Sequence, residues 1–216
     1  MLYNLSETKS LAGQFVAELR DVTIQNDRMR FRRNMERLGE IFAYEISKQL
    51  EWEDTEVTTP LGIARTKALK EQPVLATILR AGVPLHQGLL NFFDRADNAF
   101  IAAYRKHNKD GSFFINLEYL TSPPLADRIV ILSDPMLATG ASLVLTIQEL
   151  LKEGAPKQIH IVTAIASTTG IAHIKSNLPN VNIWTGAVDN ELTAKAYIVP
   201  GLGDAGDLAF GEKMQD

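Results

Sequence analysis

The sequence contains no cysteine and no apolar run long enough to cross a bilayer. The absence of cysteine excludes disulfides, thiolate zinc sites and a thiol nucleophile. Basic residues are not in excess either: the formal net charge is −4, which argues against a general nucleic-acid or membrane-surface binder. The first residues lack a basic stretch followed by an apolar core, so no secretory signal is predicted. These absences predict a cytoplasmic protein that binds neither nucleic acid nor membrane.

What is present is the composition of an ordinary globular domain. The chain has 216 residues, of which 45% are hydrophobic and 22% charged. This length is enough for one well-buried α/β domain, and the sequence shows no internal repeat, low-complexity tract or flexible linker. We therefore predict a single domain over 1–216, with an N-terminal helical segment at 1–50.

Short apolar runs alternate with helical patterns along most of the chain. The runs predicted as buried strands are 74–79, 100–104, 129–132, 159–166 and 181–188. Helices are predicted at 27–50, 83–93, 143–153 and from Ser167 onward. Residues 107–111 have the chemistry of a hairpin tip, and 113–119 return as the second strand. The alternation predicts an α/β fold with a mostly parallel sheet flanked by helices, and a β-hairpin arm at 104–119.

The first turns of the helix predicted at 27–50 are rich in arginine. Asp27 is a good N-cap residue for this helix, and the arginines that follow are Arg28, Arg30, Arg32, Arg33 and Arg37. A solvated helix face is the favoured interpretation, and an anion site or a subunit contact is the alternative.

Three charged side chains directly follow predicted strands. Arg80, Arg105 and Asp134 each stand at the carboxyl end of an apolar run. In parallel sheets, ligands bind beyond the carboxyl ends of the strands. We therefore predict that these three residues belong to one site.

The stretch DPMLATGAS, residues 134–142, connects a buried strand to a helix. Small and hydroxyl side chains fill its second half: Ala138, Thr139, Gly140, Ala141 and Ser142. A helix N-terminus exposes backbone N–H groups and a partial positive charge, which suits a phosphate. The lysine of the nucleotide-triphosphate loop is absent, so a monophosphate ester is favoured, with Asp134 placed to accept hydrogen bonds from ribose hydroxyls. On spacing alone, a tight packing turn is an equally good interpretation.

Three motifs carry a resemblance to a known family. The stretch at 134–142 resembles the 5-phosphoribosyl-diphosphate (PRPP) motif of type I phosphoribosyltransferases, in the Asp-Pro form of the uracil branch. YIVPGLGDAGDLAFG, residues 197–211, is similar to the uracil-binding signature of the same enzymes, and TILRAGVPL, residues 77–85, resembles their pyrophosphate loop. The likeness runs from about residue 21 to residue 211 and identifies the chain as a member of the uracil phosphoribosyltransferase family.

The resemblance implies a pentosyl transfer in which uracil and PRPP give UMP and pyrophosphate, with Mg²⁺ accompanying PRPP. The PRPP-binding residues that it implies are Arg80, Arg105, Asp134, Pro135, Met136, Leu137, Ala138, Thr139, Gly140, Ala141, Ser142 and Asp204. The uracil-binding residues that it implies are Ile198, Gly203, Asp204 and Ala205. Asp204, Arg105 and Arg80 are implied as catalytic, while no protein side chain is expected to hold the metal directly.

The C-terminal segment 189–216, named here the hood, is expected to bind the base. Glycines at positions 201, 203, 206 and 211 predict irregular backbone, whose N–H and C=O groups are free to point inward. Uracil presents an alternating acceptor–donor–acceptor edge that such backbone groups can recognise. Asp204 is expected close to the reacting nitrogen of the base.

Three residues depart from the pattern of the family. Ala141 replaces a common second glycine, which would be costly if the backbone there had a positive φ. Pro84 follows the pyrophosphate loop, where it fits the first turn of a helix but removes one N–H group. Leu208 stands where a basic residue is frequent. We expect weakened activity at most, and no change in its type.

Other functions and partners complete the predictions. A phosphoribosyltransferase for a purine or orotate is one alternative, and a regulatory module that binds UMP or PRPP without catalysis is another. The four histidines, His86, His107, His160 and His173, show no metal-ligand spacing and are interpreted as surface or packing residues. The resemblance also implies a homodimer or larger homo-oligomer and GTP as a possible effector.

Overall fold

The computed structural model describes residues 1–107 and 113–212, and for 103–117 it describes no side chains. Most of the predicted hairpin tip at 107–111 lies outside the described residues. The strands are β1 Leu2–Asn4, β2 Trp52–Thr59, β3 Gly62–Leu69, β4 Val74–Leu79, β5 Asp97–His107, β6 Phe113–Thr121, β7 Ile129–Ser133, β8 Met136–Leu137, β9 Gln158–Ser167, β10 Asn182–Asp189, β11 Glu191–Leu192 and β12 Ile198–Val199. The α-helices are α1 Leu11–Arg20, α2 Arg28–Ser47, α3 Val83–Phe92, α4 Ala141–Leu150, α5 Thr168–Asn177 and α6 Ala205–Phe210.

A mostly parallel sheet forms the centre of the protein. Its strand order is β1-β10-β9-β7-β4-β5-β6, and the short β8 also pairs with β9. All pairs in this sheet are parallel except β5 with β6, which form an antiparallel hairpin. The α/β fold predicted from the sequence is confirmed. Two further two-stranded sheets, β2–β3 and β11–β12, stand apart from the central one.

The inner strands are buried on both faces, which explains their continuous apolar sequences. Along β7, Ile129 and Ile131 pack in the cluster that includes α1, α2 and α3, while Val130 and Leu132 pack in the cluster that includes α4 and α5. One core therefore lies on each side of the sheet.

The predicted helix at 27–50 forms as α2 and begins where the sequence indicates. The Asp27 carboxylate accepts a hydrogen bond from the Arg30 backbone N–H at 3.0 Å, which is the N-cap geometry. Its arginines are not a simply solvated face. Arg32 donates to the Ala209 carbonyl oxygen at 2.6 Å, so this helix holds part of the hood in place.

Two predictions of local structure are wrong. The helix after 134–142 begins at Ala141 rather than at position 143, because Gly140 already provides the turn. The stretch 201–211 is not irregular throughout, because Asp204 caps a short helix, α6, despite the surrounding glycines. Among the described residues, no helix is both long and apolar enough to span a membrane.

Candidate active site

The loops predicted to meet at the carboxyl edge of the sheet follow neighbouring strands. β4 and β7 pair directly, with Thr77 opposite Ser133, so Arg80 and Asp134 stand just beyond adjacent strand ends. A Cβ on Gly82 would fall 2.9 Å from the Ser133 carbonyl oxygen, which shows how closely the two loops approach. The structure thus brings together the two loops that carry Arg80 and Asp134.

Arg105 lies on β5, the next strand of the sheet. Its backbone is opposite Ile115 in the β5–β6 hairpin, three residues beyond Ala102, which is opposite Leu79 at the end of β4. Its side chain is outside the described residues, so its role remains a prediction.

The loop that is predicted to bind phosphate, residues 134–142 and called the phosphate loop below, is fixed by the neighbouring strand β9. The Pro135 carbonyl oxygen accepts hydrogen bonds from the N–H groups of Ala164 and Ile165, at 3.0 and 3.1 Å. The Leu137 N–H donates to the buried Thr163 hydroxyl at 3.1 Å. Pro135, Met136 and Leu137 therefore act mainly as the support of the loop, with Met136 and Leu137 forming β8.

The second half of the loop opens α4 without a side-chain cap. Gly140 has a left-handed backbone, with φ of 79°, and occupies the N-cap position of α4. Because glycine has no side-chain acceptor, the first N–H groups of the helix have no cap from this residue. The Ala141 N–H, however, donates to the Thr139 hydroxyl oxygen at 3.4 Å, so the loop satisfies one of these donors itself. The remaining N–H groups of the first turn and the helix dipole are compatible with an anion site as well as with a packing turn. The interpretation as an anion site remains a prediction.

Two of the departures from the family pattern fit the backbone. The left-handed residue is Gly140, while Ala141 is the first residue of α4, so no side chain is forced into a positive φ at 141. Pro84 lies in the first turn of α3, where a backbone N–H group has no intrahelical partner. Its missing N–H therefore costs the helix no hydrogen bond.

Arg80 contacts the hood as well as the edge of the sheet. Its Nη2 atom lies 3.3 Å from the Asp207 carboxylate and 3.3 Å from the Gly211 carbonyl oxygen. The side chains of this ion pair remain 44% and 33% exposed, so the pair is weak and a multiply charged ligand can displace it. The peptide bond before Arg80 is cis, as is the Val199–Pro200 bond.

The residues predicted to bind uracil lie on both sides of a tight turn. Ile198 and Ala205 are each only 4% exposed and pack in the core, which leaves their backbone groups rather than their side chains for recognition. Gly203 has φ of 94°, a conformation that favours glycine. Asp204 Oδ1 accepts hydrogen bonds from the N–H groups of Gly206 and Asp207, at 2.9 and 3.1 Å.

A cavity of about 340 Å³ opens beside Gly203 and Asp204. The remaining residues that line it are Gln25, Asn26, Arg28, Asp207, Leu208 and Glu212. Sequence reasoning missed the contribution of the α1–α2 connection. No sequence signal points to it, because polar residues between two helices are typical of any connection.

Two histidines are buried packing residues, which agrees with the interpretation from the sequence. His86 stacks obliquely on Phe100, and burial lowers its pKa. His160 Nδ1 accepts a hydrogen bond from the Trp184 indole N–H at 3.1 Å. Burial, and secondarily the positive N-terminal amine, lower the pKa of His160 to about 4. Among the side chains that the structure describes, which exclude those of 103–117, no three of the metal-binding types converge.

Comparison with known proteins places the chain in a family. The family model of uracil phosphoribosyltransferase matches residues 6–212. A uracil phosphoribosyltransferase of Porphyromonas gingivalis is 53% identical over 212 residues, covering 98% of both chains. One from Thermococcus gammatolerans is 38% identical over 205 residues, covering 94% of this chain and 90% of its own.

Solved structures agree with the fold. A protein from Aquifex aeolicus superposes with a TM-score of 0.85 at 32% identity, covering 98% of each chain. An adenine phosphoribosyl transferase from Trypanosoma brucei reaches 0.51 at 12% identity, covering 76% of this chain and 68% of its own, which supports the fold alone. Because the family model matches nearly the whole chain and relatives of that name are 53% and 38% identical over almost all of it, this chain belongs to the uracil phosphoribosyltransferase family.

Proposed function

We propose that this chain transfers the 5-phosphoribosyl group of PRPP to uracil, giving UMP and pyrophosphate in the salvage of uracil. One observation carries the proposal. Arg80 follows β4, which pairs with the strand β7 that precedes residues 134–142, and its Nη2 atom lies 3.3 Å from the Asp207 carboxylate of the hood.

In this proposal PRPP lies across the carboxyl edge of the sheet. The backbone N–H groups of 138–142 and the hydroxyls of Thr139 and Ser142 hold the 5-phosphate, and the Asp134 carboxylate accepts hydrogen bonds from the ribose hydroxyls. Arg80 and Arg105 bind the pyrophosphate, because a guanidinium pairs with two phosphate oxygens at once and stays charged. Arg80 leaves Asp207 when it does so.

Uracil lies against the hood, where backbone groups of Ile198 and of Gly203, Asp204 and Ala205 match its acceptor–donor–acceptor edge. A ring nitrogen attacks C1 of the ribose as the bond from C1 to the pyrophosphate oxygen breaks. The proton of that nitrogen leaves towards Asp204, which also orients the base. The protein contributes chiefly by positioning the two substrates and stabilising the negative charge on the leaving pyrophosphate.

Mg²⁺ enters the proposal together with PRPP. It prefers oxygen ligands and keeps several waters, so the pyrophosphate oxygens suit it and no protein side chain is needed as a direct ligand. When bound, the ion neutralises charge on the pyrophosphate.

The activity is tested by UMP formation from uracil, PRPP and Mg²⁺, with cytosine, orotate, hypoxanthine and adenine as parallel substrates. We expect product only with uracil. Product with a purine or orotate would favour the related transferases, while binding of PRPP or UMP without turnover would favour a regulatory module.

Asp204 requires a matched pair of variants because it also caps α6. Asp204→Asn keeps an oxygen that can cap the helix but removes the charge, whereas Asp204→Ala removes both, at a cost of about 1 kcal/mol in helix stability. A similar fall in kcat for both variants supports the role of the carboxylate. A fall in the alanine variant alone would assign the residue to capping.

Further parts of the proposal concern assembly, regulation and location. We propose at least a homodimer in the cytoplasm, with GTP as an effector. Exposed apolar side chains on the β2–β3 hairpin, such as Leu61 and Ile63, offer a surface for a second copy. Sedimentation velocity tests the assembly, and the UMP assay with added GTP tests the effector.

A further inference from the structure

A partly buried ion pair joins Asp189, the first residue of the hood, to Arg20 of α1. Asp189 ends β10 and is 7% exposed, while Arg20 ends α1 and is 23% exposed. The two side chains meet as a fork, with Arg20 Nη1 at 2.8 Å from Asp189 Oδ2 and Nη2 at 2.9 Å from Oδ1. Such bidentate, charge-assisted bonds fix orientation as well as distance.

The same pair holds both polar groups of one hood residue. Arg20 Nη1 donates to the Gly201 carbonyl oxygen at 3.0 Å, and the Gly201 N–H donates to Asp189 Oδ2 at 2.9 Å. Gly201 has φ of 55°, and a side chain there would collide with the Ile198 carbonyl. Glycine is the residue with the most backbone freedom, so an unrestrained Gly201 would let the turn after Pro200 move.

Gly201 stands two residues before Gly203 and three before Asp204, the segment proposed to contact the base. A second cavity of about 340 Å³ includes Arg20, Gly201 and Gly203 in its lining, so the pair lies at the side of the base-binding segment rather than remote from it. Gln25, only 8% exposed, donates through Nε2 to the Arg20 carbonyl oxygen at 3.0 Å and fixes the end of α1.

We propose that Arg20 and Asp189 are positioning residues for uracil. By hydrogen-bonding both backbone groups of Gly201, they fix the position of the hood backbone that recognises the base. This inference rests on the proposed function. Neither side chain touches the reacting atoms. Pairing both backbone groups of the buried Gly201 also serves stability, so the positioning role is tested by the kinetic constants for uracil rather than by the geometry alone.

The test compares two bidentate arginine–carboxylate pairs, of which only the more buried one, Arg20 with Asp189, also binds the hood. Arg20→Lys keeps the charge but loses the planar fork, so it cannot satisfy both Asp189 oxygens and the Gly201 carbonyl together. Arg30→Lys is the control, because Arg30 forms a similar fork with Glu18, at 2.9 Å for both bonds, and has no contact with the hood. Asp189→Asn is the second variant at the pair.

For Arg20→Lys we expect the KM for uracil to rise about tenfold, while kcat and the KM for PRPP change less than about threefold. Arg30→Lys should change none of the three constants. A purely structural pair would instead lower the active fraction, reducing kcat for both substrates and leaving each KM in place. Equal KM values for uracil in the wild type and in a folded Arg20→Lys variant would overturn the proposal.

Truncating a buried ion pair can unfold a protein, so a measurement on the wild type completes the test. Hydrogen exchange of the Gly201 amide should be at least about 100-fold slower than that of Gly203, because only the first donates to the buried carboxylate. Equally fast exchange of the Gly201 and Gly203 amides would overturn the proposal that the pair holds Gly201, even if every variant unfolded. If the wild type formed no UMP but its Gly201 amide exchanged slowly, the proposed function would be overturned. The hydrogen bonds from the ion pair to Gly201 would still be supported.

Discussion

Replacing Gly170 by alanine tests whether the phosphate loop must keep its present place. Gly170 is the third residue of α5, and a Cβ there would fall 2.9 Å from the Leu137 carbonyl oxygen and closer still to that of Ala138. A Cβ is not tolerated so close to backbone, so the loop must retreat by roughly 0.5–1 Å, which exceeds the tolerance of about 0.5 Å within which a binding site has to be held.

The expected effect on PRPP binding exceeds the effect on stability. Overpacking costs about 1–3 kcal/mol, and alanine returns up to about 1 kcal/mol of helix propensity, so the net destabilisation should be about 0–2 kcal/mol. Weakening one hydrogen bond to the charged phosphate costs about 1.5–3 kcal/mol. We therefore expect the KM for PRPP to rise by about 10- to 100-fold, at about 1.4 kcal/mol per factor of ten, while the KM for uracil changes less than about threefold.

Gly13 provides the matched control, because it is the third residue of α1 and a Cβ there would meet nothing within 4 Å. Gly13→Ala should stabilise the protein by about 0.5–1 kcal/mol in urea unfolding and leave both KM values unchanged. Initial-rate kinetics with each substrate varied in turn decide the matter. An unchanged KM for PRPP in a folded Gly170→Ala variant would refute the placement of the 5-phosphate against this loop.

Three further predictions concern stability and Arg80. The pKa of His160 is lowered to about 4, so its contribution to stability is complete above pH 6.5 and lost as the pH falls to 4. Urea unfolding should therefore show that the free energy of unfolding falls by about 3 kcal/mol over this range, and this fall should be absent in His160→Gln. Gly88→Ala places a Cβ against the Glu36 carbonyl where α2 and α3 cross, and should lower the free energy of unfolding by about 1–3 kcal/mol. Asp207→Asn weakens the exposed pair with Arg80 and should lower the KM for PRPP about two- to fivefold.

Each of these predictions has its own control. The exposed His173 is the control for His160, and stability should depend on pH in the His173→Gln variant as it does in the wild type. If this pH dependence disappeared in His173→Gln, its assignment to His160 would be contradicted. Gly13→Ala is again the control for Gly88→Ala. Equal free energies of unfolding in these two variants would contradict the close approach of α2 and α3. A higher KM for PRPP in Asp207→Asn would show that Asp207 helps to bind PRPP or its metal instead of competing for Arg80.

The sequence predicts the sheet well because its inner strands are buried on both faces. β4 was predicted at 74–79 and forms there, since six consecutive apolar or small residues have no solvent-facing side to interrupt the pattern. The β2–β3 hairpin gave no such signal. Its side chains are mostly exposed on both faces, and charged pairs such as Lys67 with Asp54 line it, so no apolar alternation exists to detect.

The candidate site was predicted in part for related reasons. The phosphate loop has a local signal, because strand, small residues and helix follow one another along the chain. Asp189 is the last residue of a buried strand, and Asp134 directly follows one. The rule that ligands bind beyond the carboxyl ends of parallel strands could therefore have identified Asp189 as a site residue. Its partner Arg20 could not have been found, because the two residues are 169 positions apart and nothing in the local sequence of either indicates the other.

The pairing of β1 with β10 has a consequence for the order in which the molecule is made. Leu2 pairs with Ile183, and Arg20 contacts Asp189 and Gly201, so these residues near the N-terminal side are synthesised well before the residues that they contact. At about 5–20 residues per second, a nascent chain holds its N-terminal strand without its partner for roughly 10–35 seconds. During that interval the buried residues of α1, including Val16 and Leu19, lack the β10 surface against which they pack. The contacts that hold the hood against α1 therefore form only after residue 201 has been synthesised, and until then the apolar residues of α1 are open to a chaperone.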